Sequence, residues 1–317
     1  MTLLLGTNDL DQVVELLRSG NLVAFPTETV YGLGADASNP DAVARVFEAK
    51  GRPAGHPLIV HLGSTQQMLQ WATDVDDRAL ALADAFWPGP LTLIVPTSGR
   101  ATSEVTGDRS TIGLRVPNHP VTLDLLTRFG GGLAGPSANR FGHVSPTTAQ
   151  HVMADLDGRI DAVLDGGSAQ VGVESTIVEV LRGCPVALLR PGGVSIDEIS
   201  ALLGEDVIDG RSSESRAAGM LASHYAPIAP VVVIEAAAPP SSWPADTVVI
   251  GPESIPIDPS QLISVPLDSA GFARSLYAAL READAREPAT IAVFAPAEGV
   301  LSEAVRDRLS KASSRRE

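Results

Sequence analysis

The chain has 317 residues, 44% of them apolar, which is long enough for two domains of ordinary size and apolar enough to exclude wholesale disorder. Its formal net charge of −15 argues against a general basic nucleic-acid binder but leaves room for a local basic groove. The single cysteine, Cys184, excludes an internal disulfide and points to a cytoplasmic protein; the opening MTLLLGTNDLDQ lacks the features of a signal peptide, and no apolar run reaches the ~18 residues that span a bilayer.

Along the chain, Leu10, Val13, Val14 and Leu17 have helical spacing, so 9–19 is a predicted helix with Gly20 just past its end. A strand over 21–25 runs into Pro26-Thr27-Glu28-Thr29 and then a turn holding Tyr31, Gly32 and Gly34. Asn39-Pro40 is a cap followed by proline at the first helical position, so 40–49 is a helix with Val43, Val46 and Phe47 on its apolar face. A strand over 57–62 follows, then a short helix capped by Ser64 and another over 76–86 that FWPGP stops. Strands are expected at 91–95 and 111–116, a helix at 119–129, and a small polar turn at Gly135-Pro136-Ser137-Ala138-Asn139. Ser145-Pro146 repeats the cap-plus-proline start and predicts a helix to about Asp155. Strands at 161–164, 174–180 and 185–190 come next, and Ser195 with Glu198 forms a capping box for a helix to Leu203.

The Ser- and Gly-rich stretch 205–228 breaks this pattern and is expected to be a linker. Beyond it, strands at 230–235, 246–250 and 290–294 alternate with helices at 271–284 and about 300–311, and SRRE is expected to fray. The chain is therefore expected to be α/β, with domains at 1–204 and 229–317.

Lys50 and Arg52 lie two apart at a helix end in a Gly/Pro loop, where they could clamp a polyphosphate; helix C-termini also favour cations for dipole reasons alone. His61 sits inside an apolar strand, a position more common for a core histidine than for a catalyst. His56 and His61, five apart, would face opposite sides of one strand, and no zinc-type Cys/His spacing occurs, so no metal site is expected. Arg115 in TIGLRVP needs an anion, either a structural carboxylate or a substrate carboxylate held bidentately. Arg190 in VALLRPGG repeats that setting. Ser137, Asn139, Ser145 and Ser175 fall at strand ends or helix starts, where caps and turns also want them. The chain has no nucleophile elbow, no P-loop and no dinucleotide fingerprint. These residues together describe a hydroxyl-rich, cationic site with few carboxylates that wants an anionic ligand.

In order, FPTETVYGLG, AKGRPAGHPLIVHL, FWPGPLTLIV, GLRVPNHP, GPSANRFGHVSPTTAQHV, DGG with GVESTIVEV, and LRPGG resemble the threonylcarbamoyl-AMP synthase family over roughly 8–203. The remainder resembles its long, two-domain form, with a linker that lacks the basic residue and one aromatic usual before His224-Tyr225. The resemblance implies a YrdC-like twisted mixed sheet with helices around an open basic groove, plus a small Rossmann-like α/β domain. It implies condensation of L-threonine, bicarbonate and ATP to threonylcarbamoyl-AMP with release of pyrophosphate, for threonylcarbamoyl-adenosine modification of tRNA. Magnesium would accompany the ATP, and downstream threonylcarbamoyl-transferase proteins and tRNA or double-stranded RNA would be partners.

By motif, Thr29, His61, Arg115, Gly135 and Ser175 would line the threonine pocket. Lys50, Arg52, His56, Thr111, Ser137, Ser145, Arg190 and Tyr225 would serve ATP, with Lys50 and Arg52 as catalytic residues that offset charge on the leaving pyrophosphate. An RNA-binding module without catalysis is the alternative, since the same cations would serve it.

Overall fold

The computed structural model describes residues 1–211, 225–234, 243–296 and 298–314. Two compact units emerge. The first holds Met1–Phe141, Pro146–Gln170 and Glu174–Met220; the second holds Gly142–Ser145, Val171–Val173 and Leu221–Glu317. The expected linker at 205–228, including 217–224 before Tyr225, and the expected frayed tail fall largely outside the described residues.

The strands of the first unit are β1 (Leu3–Leu5), β2 (Val23–Phe25), β3 (Gly32–Asp36), β4 (Ile59–His61), β5 (Leu91–Pro96), β6 (Thr111–Arg115), β7 (Leu133–Ala134), β8 (Ala162–Leu164), β9 (Thr176–Glu179), β10 (Ala187–Arg190) and β11 (Ile208–Asp209). They form one sheet in the order β1-β8-β2-β3-β7-β4-β6-β5-β9-β10-β11, with parallel and antiparallel pairs mixed. Its helices are α1 (Leu10–Arg18), α2 (Pro40–Lys50), α3 (Met68–Trp71), α4 (Asp77–Phe86), α5 (Ser103–Thr106), α6 (Pro120–Phe129), α7 (Ala149–Leu156) and α8 (Ile196–Leu203). The mixed α/β class is as expected from the sequence.

Local signals explain most boundaries. The Asn39 side chain accepts from the amides of Asp41 and Ala42 and so starts α2, and Gly51, at φ 65°, ends it. The Ser195–Glu198 capping box starts α8 as expected.

Two expectations need correction. The helix predicted from Ser145-Pro146 begins instead at Ala149, because Thr148 is the residue whose hydroxyl accepts an N-terminal amide, from His151. The Pro146 carbonyl instead accepts from the Tyr31 amide, a partner outside any helix from Pro146. The stretch after Tyr31 is not a turn but β3, antiparallel to β2. Its glycines are needed there because the Phe25 ring lies across the strand. A Cβ on Gly32 would stand 2.8 Å from that ring, and one on Gly34 would stand 2.9 Å from the Val23 carbonyl oxygen.

Strand alternation sorts β4, β5, β6 and β9 into two faces. Val60, Leu91, Leu93, Val95, Ile112, Leu114 and Val178 point into the main core, with the helices. Ile59, Ile94, Ile177, Ala187 and Leu189 form a separate small apolar cluster on the other face. That second face also carries the polar residues considered below.

The second unit has an all-parallel sheet of β12 (Val231–Ile234), β13 (Thr247–Gly251), β14 (Leu262–Ser264) and β15 (Thr290–Phe294), in the order β12-β15-β13-β14. Helices α9 (Ser269–Asp284) and α10 (Ser302–Ser313) belong to it. The short β14 carried no signal in the sequence: three residues after a 3-10 turn fall below what periodicity can resolve.

Candidate active site

The site is built on the second face of the first unit's sheet. Because β4 and β6 run parallel with His61 opposite Arg115, the two side chains stand on one face, about 5 Å apart along the hydrogen-bonding direction. Both are buried, at 3% and 4% exposure. The anion that Arg115 needs is Glu28: Nη2 lies 2.8 Å from Oε1, and both side chains are buried. Arg115 Nε also donates to the Gly89 carbonyl at 3.1 Å. Glu28 went unassigned in the sequence reading, which counted few carboxylates here. It comes into the site from the β2–β3 connection, and only the fold shows that this connection passes Arg115.

Thr29 belongs to the same connection. The Thr27 hydroxyl receives the amides of Thr29 and Val30, contacts the Thr29 hydroxyl at 2.8 Å, and donates to the Val30 carbonyl at 2.6 Å. This fixes the backbone on both sides of Glu28.

Burial, with the Arg115 charge beside it, pushes His61 down to about 3, so its imidazole is neutral at working pH. Its Nδ1 is buried without a hydrogen-bond partner among the described residues. The ring packs edge-on to Phe25 at 5.4 Å between centroids. Gly135 lies under both: a Cβ there would stand 2.7 Å from His61 Nδ1 and 2.9 Å from Phe25. The glycine is therefore a steric requirement of the pocket wall.

Ser175 precedes β9 and shares a 2.7 Å hydroxyl contact with Thr92 of β5. Arg190 converges on the same serine, its Nε donating to the carbonyl at 3.1 Å and its Nη2 to the hydroxyl at 3.2 Å. Strict alternation would send Arg190 to the core face, since Leu189 already points to the site face. The pairing of β10 with β9 shifts register between Leu188 and Arg190, and such a bulge re-aims the next side chain.

The helix-borne cations form a second group. Lys50, 3% exposed, closes α2 and donates from Nζ to the carbonyls of Ser137 at 2.5 Å and Asn139 at 2.6 Å. It thereby ties the 135–139 loop to the helix end. Burial, then the Arg52 charge, lowers the Lys50 ammonium below its usual range. Arg52 Nη2 donates to the Pro57 carbonyl, and its guanidinium lies 5.7 Å from the Phe141 ring centre. His56 stands edge-on to the same ring at 5.9 Å, ahead of β4, which begins at Ile59. Burial and the Arg52 and Arg109 charges lower His56. Phe141 and Arg109 are thus neighbours of this group that sequence reasoning missed.

Thr111 opens β6 on the Arg115 face, about 13 Å along the strand from it. Ser145 and Tyr225 fall in the second unit. There the Ser145 carbonyl accepts from Arg281 Nε at 3.4 Å. Tyr225 stacks on Tyr277 at 5.9 Å with the Arg308 guanidinium 5.1 Å from its ring centre. Among the described residues, no group of three or more His, Cys, Asp or Glu is arranged to hold a metal ion, and no helix is long and apolar enough to cross a membrane.

Two family models match the chain. The Sua5/YciO/YrdC model, described as "Telomere recombination", covers residues 15–192, and the C-terminal domain model of threonylcarbamoyl-AMP synthase covers 194–314. A threonylcarbamoyl-AMP synthase of Pyrococcus abyssi is 40% identical over 324 residues, spanning 95% of this chain and 92% of its own length. The chain belongs to the threonylcarbamoyl-AMP synthase family. Within that family, a Bacillus subtilis threonylcarbamoyl-AMP synthase is 46% identical over 73% of this chain and 68% of its own. The crystal structure of Pyrococcus abyssi Sua5 complexed with L-threonine matches with a TM-score of 0.89 at 37% identity, covering 99% of this chain and 97% of that one. The match over both family models is that of the long, two-domain form of threonylcarbamoyl-AMP synthases.

Proposed function

We propose that this protein is an enzyme that condenses L-threonine, bicarbonate or CO₂, and ATP into L-threonylcarbamoyl-AMP and releases pyrophosphate. The observation that carries the reading is the buried sheet face on which Arg115, His61, Ser175 and Arg190 converge, with Lys50 and Arg52 at the nearby helix end. A buried guanidinium beside a neutral imidazole suits an amino acid, whereas tracking an RNA backbone needs neither. The relatives named as synthases also favour the enzyme over a non-catalytic RNA-binding module.

In this reading, Arg115 presents its fork to the threonine carboxylate, and His61 and the Thr29 and Ser175 hydroxyls read the amine and side chain, with Gly135 leaving the room. The threonine nitrogen forms a bond to the carbon of CO₂ and gives up a proton, which makes a carbamate. A carbamate oxygen then attacks the α-phosphorus of ATP, and the bond to the leaving pyrophosphate breaks. Lys50 and Arg52 offset the charge that collects on pyrophosphate. His56, Thr111, Ser137 and Arg190 hold the rest of the nucleotide. Ser145 and Tyr225 are assigned to it on the family resemblance alone. Catalysis is mainly positioning and charge stabilisation.

Magnesium enters with ATP as part of the substrate. An open basic groove in the first unit, a Rossmann-like second unit, a cytoplasmic location, and consumption of the product by a threonylcarbamoyl transfer to tRNA complete the proposal. Pyrophosphate release from ATP should require both L-threonine and bicarbonate. Release that ignores threonine, or tight RNA binding without release, would overturn it.

A further inference from the structure

The roles above give the α-ammonium of threonine only neutral partners, hydroxyls and the His61 imidazole. We infer that Glu28 accepts the α-ammonium, so that the Arg115–Glu28 pair recognises the zwitterion of an α-amino acid as a unit. This deepens the proposed function and rests on it.

Glu28 is 6% exposed, on the connection whose backbone the Thr27 hydroxyl fixes. Arg115, 2.8 Å away, supplies it with charge. Yet neither carboxylate oxygen receives an aligned hydrogen bond from any described residue. Buried carboxylates normally collect several donors, and one that has charge compensation without donors is poised for a ligand that brings N–H groups.

Two imidazoles of this region do not compete for that ligand. His61 stands beside Arg115 and is neutral. His119, at the start of α6, is lowered by burial although the Glu28 charge opposes this, and its Nδ1 has no hydrogen-bond partner among the described residues. The complementarity is of sign and spacing: the carboxylate and ammonium of an α-amino acid are two bonds apart, and the guanidinium and carboxylate that would meet them are in contact.

The experiment measures binding of L-threonine and of 3-hydroxybutyrate, which lacks only the amine, to the full-length chain by calorimetry. The unaltered protein should prefer L-threonine by about tenfold or more, as expected for a charge-assisted hydrogen bond. Glu28→Gln should lower L-threonine affinity by a similar factor while affinity for 3-hydroxybutyrate holds or rises and ATP still binds. Equal affinity of the unaltered protein for the two ligands overturns the inference without any variant. So does a Glu28→Gln protein that binds L-threonine within twofold of normal, or one that loses both ligands in parallel, which would make Glu28 only a prop for Arg115. If the unaltered protein binds no L-threonine and shows no threonine-dependent pyrophosphate release, the parent reading fails instead.

Discussion

The site has two kinds of cation, and they are built differently. Arg115 and Arg190 come from the interior of the sheet, where neighbouring strands give each a fixed set of partners: Glu28 and Gly89 for one, Ser175 for the other. Lys50 and Arg52 come from a helix end and the loop after it, and both donate to backbone carbonyls. Those carbonyls are neutral, whereas removing Arg115 leaves the buried Glu28 carboxylate without its ion-pair partner. Arg115 is therefore tied to folding through a buried charge pair, a stronger tie than a contact with a carbonyl.

The largest effect should come from Arg115→Ala, which strands the Glu28 carboxylate in the interior. It should cost about 3–5 kcal/mol in a denaturant titration and abolish threonine-dependent turnover. A small stability loss would break the contrast. Arg52→Ala should reduce pyrophosphate release by about 100-fold or more, as expected for loss of a group that stabilises transition-state charge. Its unfolding midpoint should move little, since the contact with Phe141 is worth about 1 kcal/mol. Near-normal turnover would sink its assignment.

His61 sharpens the sheet side of the comparison. Its folded value, about 3, lies below the ordinary 6.5, so the fold binds the proton less well than the unfolded chain. The stability from keeping His61 neutral is present above about pH 6.5 and drains away as pH falls toward 3. Between pH 7 and about pH 4.5 this one group should cost about 2–3 kcal/mol, and His61→Gln should show correspondingly less acid sensitivity in paired denaturation curves. The smallest effect is on the helix side. Asn39→Ala removes the cap of the helix that delivers Lys50 and should cost about 1 kcal/mol, measured by thermal unfolding, with kcat little changed.

Legibility followed the range of the physics involved. Caps such as Asn39-Pro40 and Ser195 with Glu198 act over three residues, and a reader of the chain can see them. β3 was hidden because glycine is a poor strand former by propensity. What makes Gly32 and Gly34 fit is the Phe25 ring on the neighbouring strand, and no local rule mentions it. Ser145-Pro146 misled for a related reason: a sound start signal lost to a hydrogen bond with Tyr31, distant in sequence. For Arg115 the chain stated the demand, an anion for a buried guanidinium, without naming Glu28 as the supplier.

By itself, then, the amino-acid sequence determined the α/β class, most helices and their caps, and the family, because periodicity, capping and motifs are local. The tertiary structure decided which strand-borne side chains share a face. It set His61 beside Arg115 by parallel pairing and turned Arg190 toward Ser175 by a one-residue shift in register. It also brought Glu28 to Arg115. Each of these depends on contacts between segments far apart in the chain, and alternation along a single strand cannot specify them.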